Sequence, residues 1–167
     1  MTPQAMAVTP SPQSVAEATS PQSVAEATRD AMWRKDRASQ SLGLQVLAIG
    51  PGSATLCMTV REDMLNGYDT CHGGFVTTLA DSAFAFACNA YNEVTLAAGF
   101  DMNLIAAARL GDVLTATAHE VSKAGRTGVY DIAVANQRGE PVAAFRGRSY
   151  TIKGKPLIEG LPIGKQK

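Results

Sequence analysis

The chain has 167 residues and a mass of 17.5 kDa, the size of one domain. Hydrophobic residues make up 46% and charged ones 18%, below the ~25% of an average globular chain, so there is ample material for a core and wholesale disorder is excluded. Fifteen Lys and Arg balance fifteen Asp and Glu; with no basic surplus, neither nucleic acid nor an anionic membrane is expected as a partner.

Three cysteines (Cys57, Cys71, Cys88) form neither a paired framework nor a metal-ligand spacing, so no disulfide, metal or cofactor is expected and the thiols read as reduced, as in the cytoplasm. No basic residue precedes Arg29 and no apolar run of secretory length occurs there, so no signal peptide is expected. The most apolar window, residues 75–91, is interrupted by Asp81, which reads as a buried helix and not a membrane span.

Residues 1–28 hold four of the eight prolines and no aromatic residue. They contain a nine-residue unit repeated without mismatch, Ser11–Thr19 and Ser20–Thr28. Two short copies cannot build a solenoid, so this segment reads as a disordered tail, with a short extra helix as the second reading. The domain is then expected over residues 29–154, followed by a flexible tail over 155–167.

Helical spacing runs from Arg29 to Ser41 and stops at Gly43. Leu44–Ile49 and Ala54–Val60 are strand-like runs joined by turn chemistry at residues 50–53. Residues 65–69 form a loop, Gly74–Tyr91 reads as a helix, and four more strands follow at about 94–104, 113–123, 128–137 and 141–152. The helix is apolar nearly all round and must be covered; an antiparallel sheet curled around it, an α+β architecture, is the economical solution.

The segment from Asn66 to Asp81 carries the chemistry. His72-Gly73-Gly74 lies where loop becomes helix, where backbone N–H groups lack internal partners and the helix dipole adds positive charge. Such an end suits a developing oxyanion, although the glycines could equally relieve crowding. Asp81 is a lone carboxylate in an apolar helix with no basic residue within four positions. Burial would raise its pKa toward that of a general base, unless Thr77 or Thr78 caps it. Eight residues separate Gly73 from Asp81, about 12 Å of helix, so one chain cannot bring both to one carbonyl. Two copies of the chain are required.

Met64-Leu-Asn-Gly67, Cys71-His-Gly-Gly74, Leu79-Ala-Asp-Ser-Ala-Phe-Ala85, Gly111-Asp-Val-Leu-Thr-Ala-Thr-Ala118, Thr127-Gly-Val-Tyr-Asp-Ile132 and Ala144-Phe-Arg-Gly147 closely resemble the hot-dog-fold acyl-CoA thioesterases, in particular the PaaI-like enzymes of phenylacetate catabolism. The resemblance covers about residues 32–154. It implies a sheet wrapped around a central helix, homodimers paired into tetramers, and hydrolysis of aryl-acetyl or related CoA thioesters. By position it implies that the Gly73 N–H polarises the thioester carbonyl and that the partner subunit's Asp81 activates water or attacks directly. Asn66, His72 and Gly74 would line the acyl site, with Thr78 close to the water. The family's Arg-Pro pair is absent here, where the chain reads Asn103-Leu-Ile-Ala-Ala107.

CoA carries several phosphate charges and favours cations. Arg126 and Arg146 are candidates to hold it, with Lys123 and Arg148, and Thr127 and Gly128 could offer backbone N–H groups. Gly147 within a strand suggests a bulge or a close backbone approach. His119 reads as a surface residue, Cys71 as a small packing residue, and Trp33 as a staple between the first helix and the sheet. Two further readings of the same motifs are a hot-dog hydratase or dehydratase using His72 and Asp81, and a non-catalytic acyl-CoA binder.

Overall fold

A computed structural model describes residues 20–164. Helix α1 spans Pro21–Trp33 and α2 spans Arg37–Ser41. Strands β1 (Gln45–Gly50) and β2 (Ser53–Thr59) follow, then a short 3₁₀ turn at Glu62–Met64. The central helix α3 spans Gly73–Asn89, and β3 (Glu93–Leu104), β4 (Val113–Ala124), β5 (Thr127–Ala135) and β6 (Pro141–Pro156) complete the chain. The strands form one antiparallel sheet in the order β1-β2-β4-β5-β6-β3, with α3 on its inner face.

Alternation along the strands sets which face is buried. Leu114, Ala116 and Ala118 of β4 point into the core while Thr117 and His119 are exposed, and Leu56 and Met58 of β2 do the same. Val76, Leu79, Ala80, Ala83, Phe84 and Ala87 of α3 meet this surface. Phe84 packs beneath Tyr130 and Phe145, with ring centroids 5.4 and 6.0 Å away. Gly147 marks the close approach: a Cβ there would stand 2.8 Å from the Phe84 ring. The bulge in this part of the sheet falls instead in β3, between Ala97 and Gly99.

Both expected tails need correction over the residues the structure describes. The second copy of the repeat, read as part of a disordered tail, opens α1: Ser20 caps it by accepting from the Ser23 N–H at 3.1 Å, with Pro21 in the first turn. Val24 and Ala25 are buried, and Gln22 Nε2 donates to the Ile49 carbonyl at 2.8 Å. The unit has a small apolar face that compositional reasoning overlooks. Its first copy, residues 11–19, lies outside the described residues. Trp33 packs on Phe86 of the central helix, at 6.4 Å between centroids.

At the other end β6 continues to Pro156, and the chain beyond it is held by Asn92, in the left-handed conformation at φ 58°. Asn92 is fully buried; its side chain donates to the carbonyls of Ile158 and Leu161 and accepts from the Ile158 N–H. The Gly164 N–H reaches the Tyr91 carbonyl at 2.8 Å. Residues 155–164 are therefore docked, against the expectation of a flexible tail.

Candidate active site

The loop before α3 is built by Asn66. Its Oδ1 accepts from the Tyr68 N–H at 2.9 Å, and its Nδ2 donates to Thr70 Oγ1 at 2.9 Å. Asp69 sits at φ 55° within this turn, a conformation that Asp tolerates better than most side chains. The Cys71 N–H donates to the Ala108 carbonyl and the His72 N–H to the Met64 carbonyl, fixing the chain as it enters the helix.

His72 is the N-cap. Its Nδ1 accepts from the Gly74 N–H at 3.0 Å, which assigns the ring proton to Nε2 when the imidazole is neutral. The Phe75 N–H donates to the His72 carbonyl at 2.9 Å. Gly73 is left as the exception: among the described residues its N–H has no acceptor. One bare donor therefore stands at the positive end of a 17-residue helix.

Gly73 lines a cavity of about 270 Å³ together with Asn66, Thr70, Cys71, Val76 and residues 104–108. Pockets for drug-sized ligands occupy roughly 300–1,000 Å³, so this one accommodates an acyl group and not an entire CoA ester. Ala106 and Ala107 supply a small apolar wall, and among the described residues no cation lines the cavity. Sequence reasoning does not identify Leu104 as a lining residue; the departure at residues 103–107 is the available signal.

Asp81 lies two turns along α3, half-buried. The Thr77 and Thr78 hydroxyls do not cap it: they donate back to the Gly73 and Gly74 carbonyls at 2.8 and 2.9 Å. Among the described residues the Asp81 carboxylate makes no hydrogen bond or ion pair, and burial pushes its pKa above the ordinary carboxylate value. It does not line the cavity at Gly73. Gly74, Thr78, Asp81 and Ala85 fall at i, i+4, i+7 and i+11, a stripe of α3 that its own sheet leaves partly open. The expectation of a helix covered on all sides therefore fails along this line.

The candidate CoA contacts divide. Arg146 is clamped by Asp131 through two contacts of 2.6 Å, and Arg148 is paired with Asp101. Gly128 is buried in β5 between β4 and β6, paired with Lys123 on one side and Ser149 on the other. A Cβ on Gly128 would lie 2.7 Å from Ser149 Oγ, so packing calls for glycine here, and paired strands on both sides leave little room for its backbone to serve a ligand. Thr127 joins the same ladders, and its hydroxyl donates to the Ala124 carbonyl. Burial lowers the pKa of Lys123, whose ammonium lies 4.7 Å from the centroid of the Tyr91 ring. Arg126 is exposed on the β4–β5 hairpin and donates to Tyr150 Oη at 3.1 Å.

Tyr150 pairs with Leu96, eight residues before Leu104 on β3. Arg126 and Gly73 therefore sit near opposite ends of that strand, roughly 26 Å apart along it. His119 is exposed and Cys71 is buried in the core, where desolvation raises its thiol pKa.

Residues 68–143 match the model of the thioesterase superfamily. The chain is 41% identical over 124 residues to the acyl-coenzyme A thioesterase PaaI of Escherichia coli K12, covering 74% of this chain and 89% of that one. It belongs to the PaaI-like family of hot-dog thioesterases. The solved structure of the E. coli PaaI protein, from the phenylacetic acid degradation operon, superposes with a TM-score of 0.80 at 39% identity and covers 81% of this chain and 99% of that one. A variant of the phenylacetic acid degradation protein PaaI from Thermus thermophilus matches at 38% identity with a TM-score of 0.65, covering 67% of this chain and 96% of that one. The hot-dog fold accounts for the antiparallel sheet around α3 described above.

Proposed function

We propose that this protein hydrolyses acyl-CoA thioesters to the free acid and CoA, with phenylacetyl-CoA, its hydroxylated forms and related aryl or medium-chain esters as substrates. One observation carries the reading: Gly73, whose N–H has no acceptor among the described residues, lines a cavity of acyl size. The family relationship supports it, since the E. coli relative is an acyl-coenzyme A thioesterase.

In this reading the acyl group enters the cavity and its carbonyl oxygen accepts from the Gly73 N–H. Negative charge then gathers on that oxygen at the helix N-terminus as the tetrahedral intermediate forms. His72 Nε2–H and the remaining Asn66 Nδ2 proton are additional donors to the acyl site, while Thr78 flanks the nucleophilic water. The partner subunit's Asp81 takes a proton from that water, whose oxygen attacks the carbonyl carbon; the C–S bond breaks, and CoA leaves as the thiol once protonated. Direct attack by the partner subunit's Asp81 is the variant route, through an anhydride. Single-turnover hydrolysis in oxygen-18 water tests for the anhydride: label in Asp81 establishes that route, through attack of water on the Asp81 carbonyl carbon.

Two features favour a composite site across a homodimer. The open stripe of α3 contains Asp81, and the 12-residue β3 is a sheet edge bearing exposed Leu96, Phe100 and Leu104. Antiparallel pairing of β3 with its copy would cover both and bring the partner's Leu96 end, with the partner's Arg126, beside Gly73. The CoA phosphates then have a cation within reach from the opposite chain. Two such dimers make the tetramer. No described helix is long and apolar enough to cross a membrane, and the three free thiols fit a cytoplasmic protein.

The test is release of free CoA from a panel of CoA esters, followed with a thiol dye. Turnover of phenylacetyl-CoA supports the reading; silence on every ester, with loss of enoyl absorbance from an enoyl-CoA, would replace it with a hydratase.

A further inference from the structure

The cavity at Gly73 has one wall of unusual character. Leu104 is the last residue of the edge strand β3, and its side chain is 57% exposed, yet Cδ1 would stand only 2.6 Å from a Cβ placed on Gly73. The isobutyl group therefore rests directly on the backbone that carries the bare donor. Its main chain is held: Leu104 pairs with Ala143, and the Ile105 and Ala106 N–H groups both donate to the Val142 carbonyl, at 2.8 and 3.2 Å. Within its own chain no core residue encloses the side chain beyond Cβ, and the β3 pairing proposed above sets the partner's Leu96 end beside it.

Most of the other walls are less adjustable: Val76 and Cys71 are buried core residues, Cys71 is tied to Ala108 by its N–H, and residues 106–108 have only methyl groups to offer. Ile105 also lines the cavity and is as exposed as Leu104, but the three atoms nearest a Cβ placed on Gly73 all belong to Leu104. An acyl group seated against the Gly73 backbone would therefore meet Leu104 first.

The geometry points to Leu104 as the residue that sets acyl size, by occupying the space in front of Gly73 that the acyl group must share. This rests on the thioesterase reading and adds a specificity residue to it. A methylene in an apolar pocket discriminates by about 10–200-fold, so changing three carbons at this position has ample leverage.

Leu104→Ala and Leu104→Phe test it on a series from acetyl- to octanoyl-CoA together with phenylacetyl-CoA. The readout is the ratio of kcat/KM for phenylacetyl-CoA to that for acetyl-CoA. Leu104→Ala is expected to raise this ratio at least tenfold and Leu104→Phe to lower it by a similar factor. Circular dichroism and thermal unfolding establish that each variant folds. Folded variants that turn over both esters with ratios within twofold of the parent overturn the assignment. A parent enzyme inactive on every ester defeats the thioesterase reading itself, a distinguishable result.

Discussion

Gly73 and Leu104 are in steric conflict for any residue larger than glycine at position 73, since an added Cβ would come within 2.6 Å of Leu104 Cδ1. This contact makes the role of the Gly73 amide separable from its small size. Gly73→Ala is expected to lose activity, because Leu104 must change rotamer in front of the donor, at little cost in stability since Cδ1 is the free end of an exposed side chain. Combining it with Leu104→Ala relieves the crowding and should restore activity.

Proline at position 73 goes further. Gly73 is the first residue of the helix, where proline is well accepted, and His72 already has the extended conformation (φ −61°, ψ 130°) that a following proline favours. Gly73→Pro in the Leu104→Ala background removes the N–H and little else. Relative to Gly73→Ala in that background, kcat should fall by about 10²–10³, the value of one oxyanion donor. Equal kcat in the two double variants would show that the glycine is there for space alone.

Asp81→Asn is expected to lower kcat at least ~100-fold with KM within a few-fold, the pattern of a group used mainly in the transition state. It should also stabilise the fold. Burial holds the Asp81 pKa above its ordinary 3.8, so the folded state favours the protonated acid, and ionisation costs stability as pH rises through the shifted value. The gain in Tm should therefore be present at pH 7 and vanish at low pH. The acid limb of the parent kcat/KM profile should inflect above 3.8 for the same reason.

Mixing two inactive enzymes tests the composite site. Asp81→Asn subunits, re-assembled with Gly73→Pro/Leu104→Ala subunits, should recover up to about a quarter of the parental activity, since the intact site takes both Gly73 and Leu104 from the Asp81→Asn subunit. Half of the dimers would then be mixed, each with one intact constellation. No recovery, in mixtures shown to exchange subunits, would place both groups in one chain's own site.

The tandem repeat makes a separate prediction. Residues 11–19 and 20–28 are identical, so excising either nine-residue unit gives the same polypeptide, and that polypeptide should melt like the parent. Removing residues 11–28 takes Val24, Ala25 and the Gln22 bond to Ile49 from the core edge. Burial of a valine alone contributes ~1.5–3 kcal/mol, so a clear drop in Tm is expected.

Much of this protein is legible in the order of its residues. Alternation in β4, turn residues between strands and an apolar run holding a single carboxylate are local signals, and they determine the sheet, the central helix and Asp81 as a candidate. Other features depend on contacts between distant segments. That the Gly73 N–H is bare while Gly74's is taken by His72, that Leu104 rests on Gly73 from 31 positions away, and that Arg146 is already held by Asp131, follow from which strand ends meet which helix turn. The two tails escape a compositional reading for a related reason. A short segment with few apolar residues looks unstructured by composition, yet Val24 and Ala25, or the single side chain of Asn92, suffice to hold it once the fold supplies a surface and unpaired carbonyls to meet. Periodicity reports what a segment does with its neighbours in sequence; the burial and hydrogen bonding that make a site are set by neighbours in space.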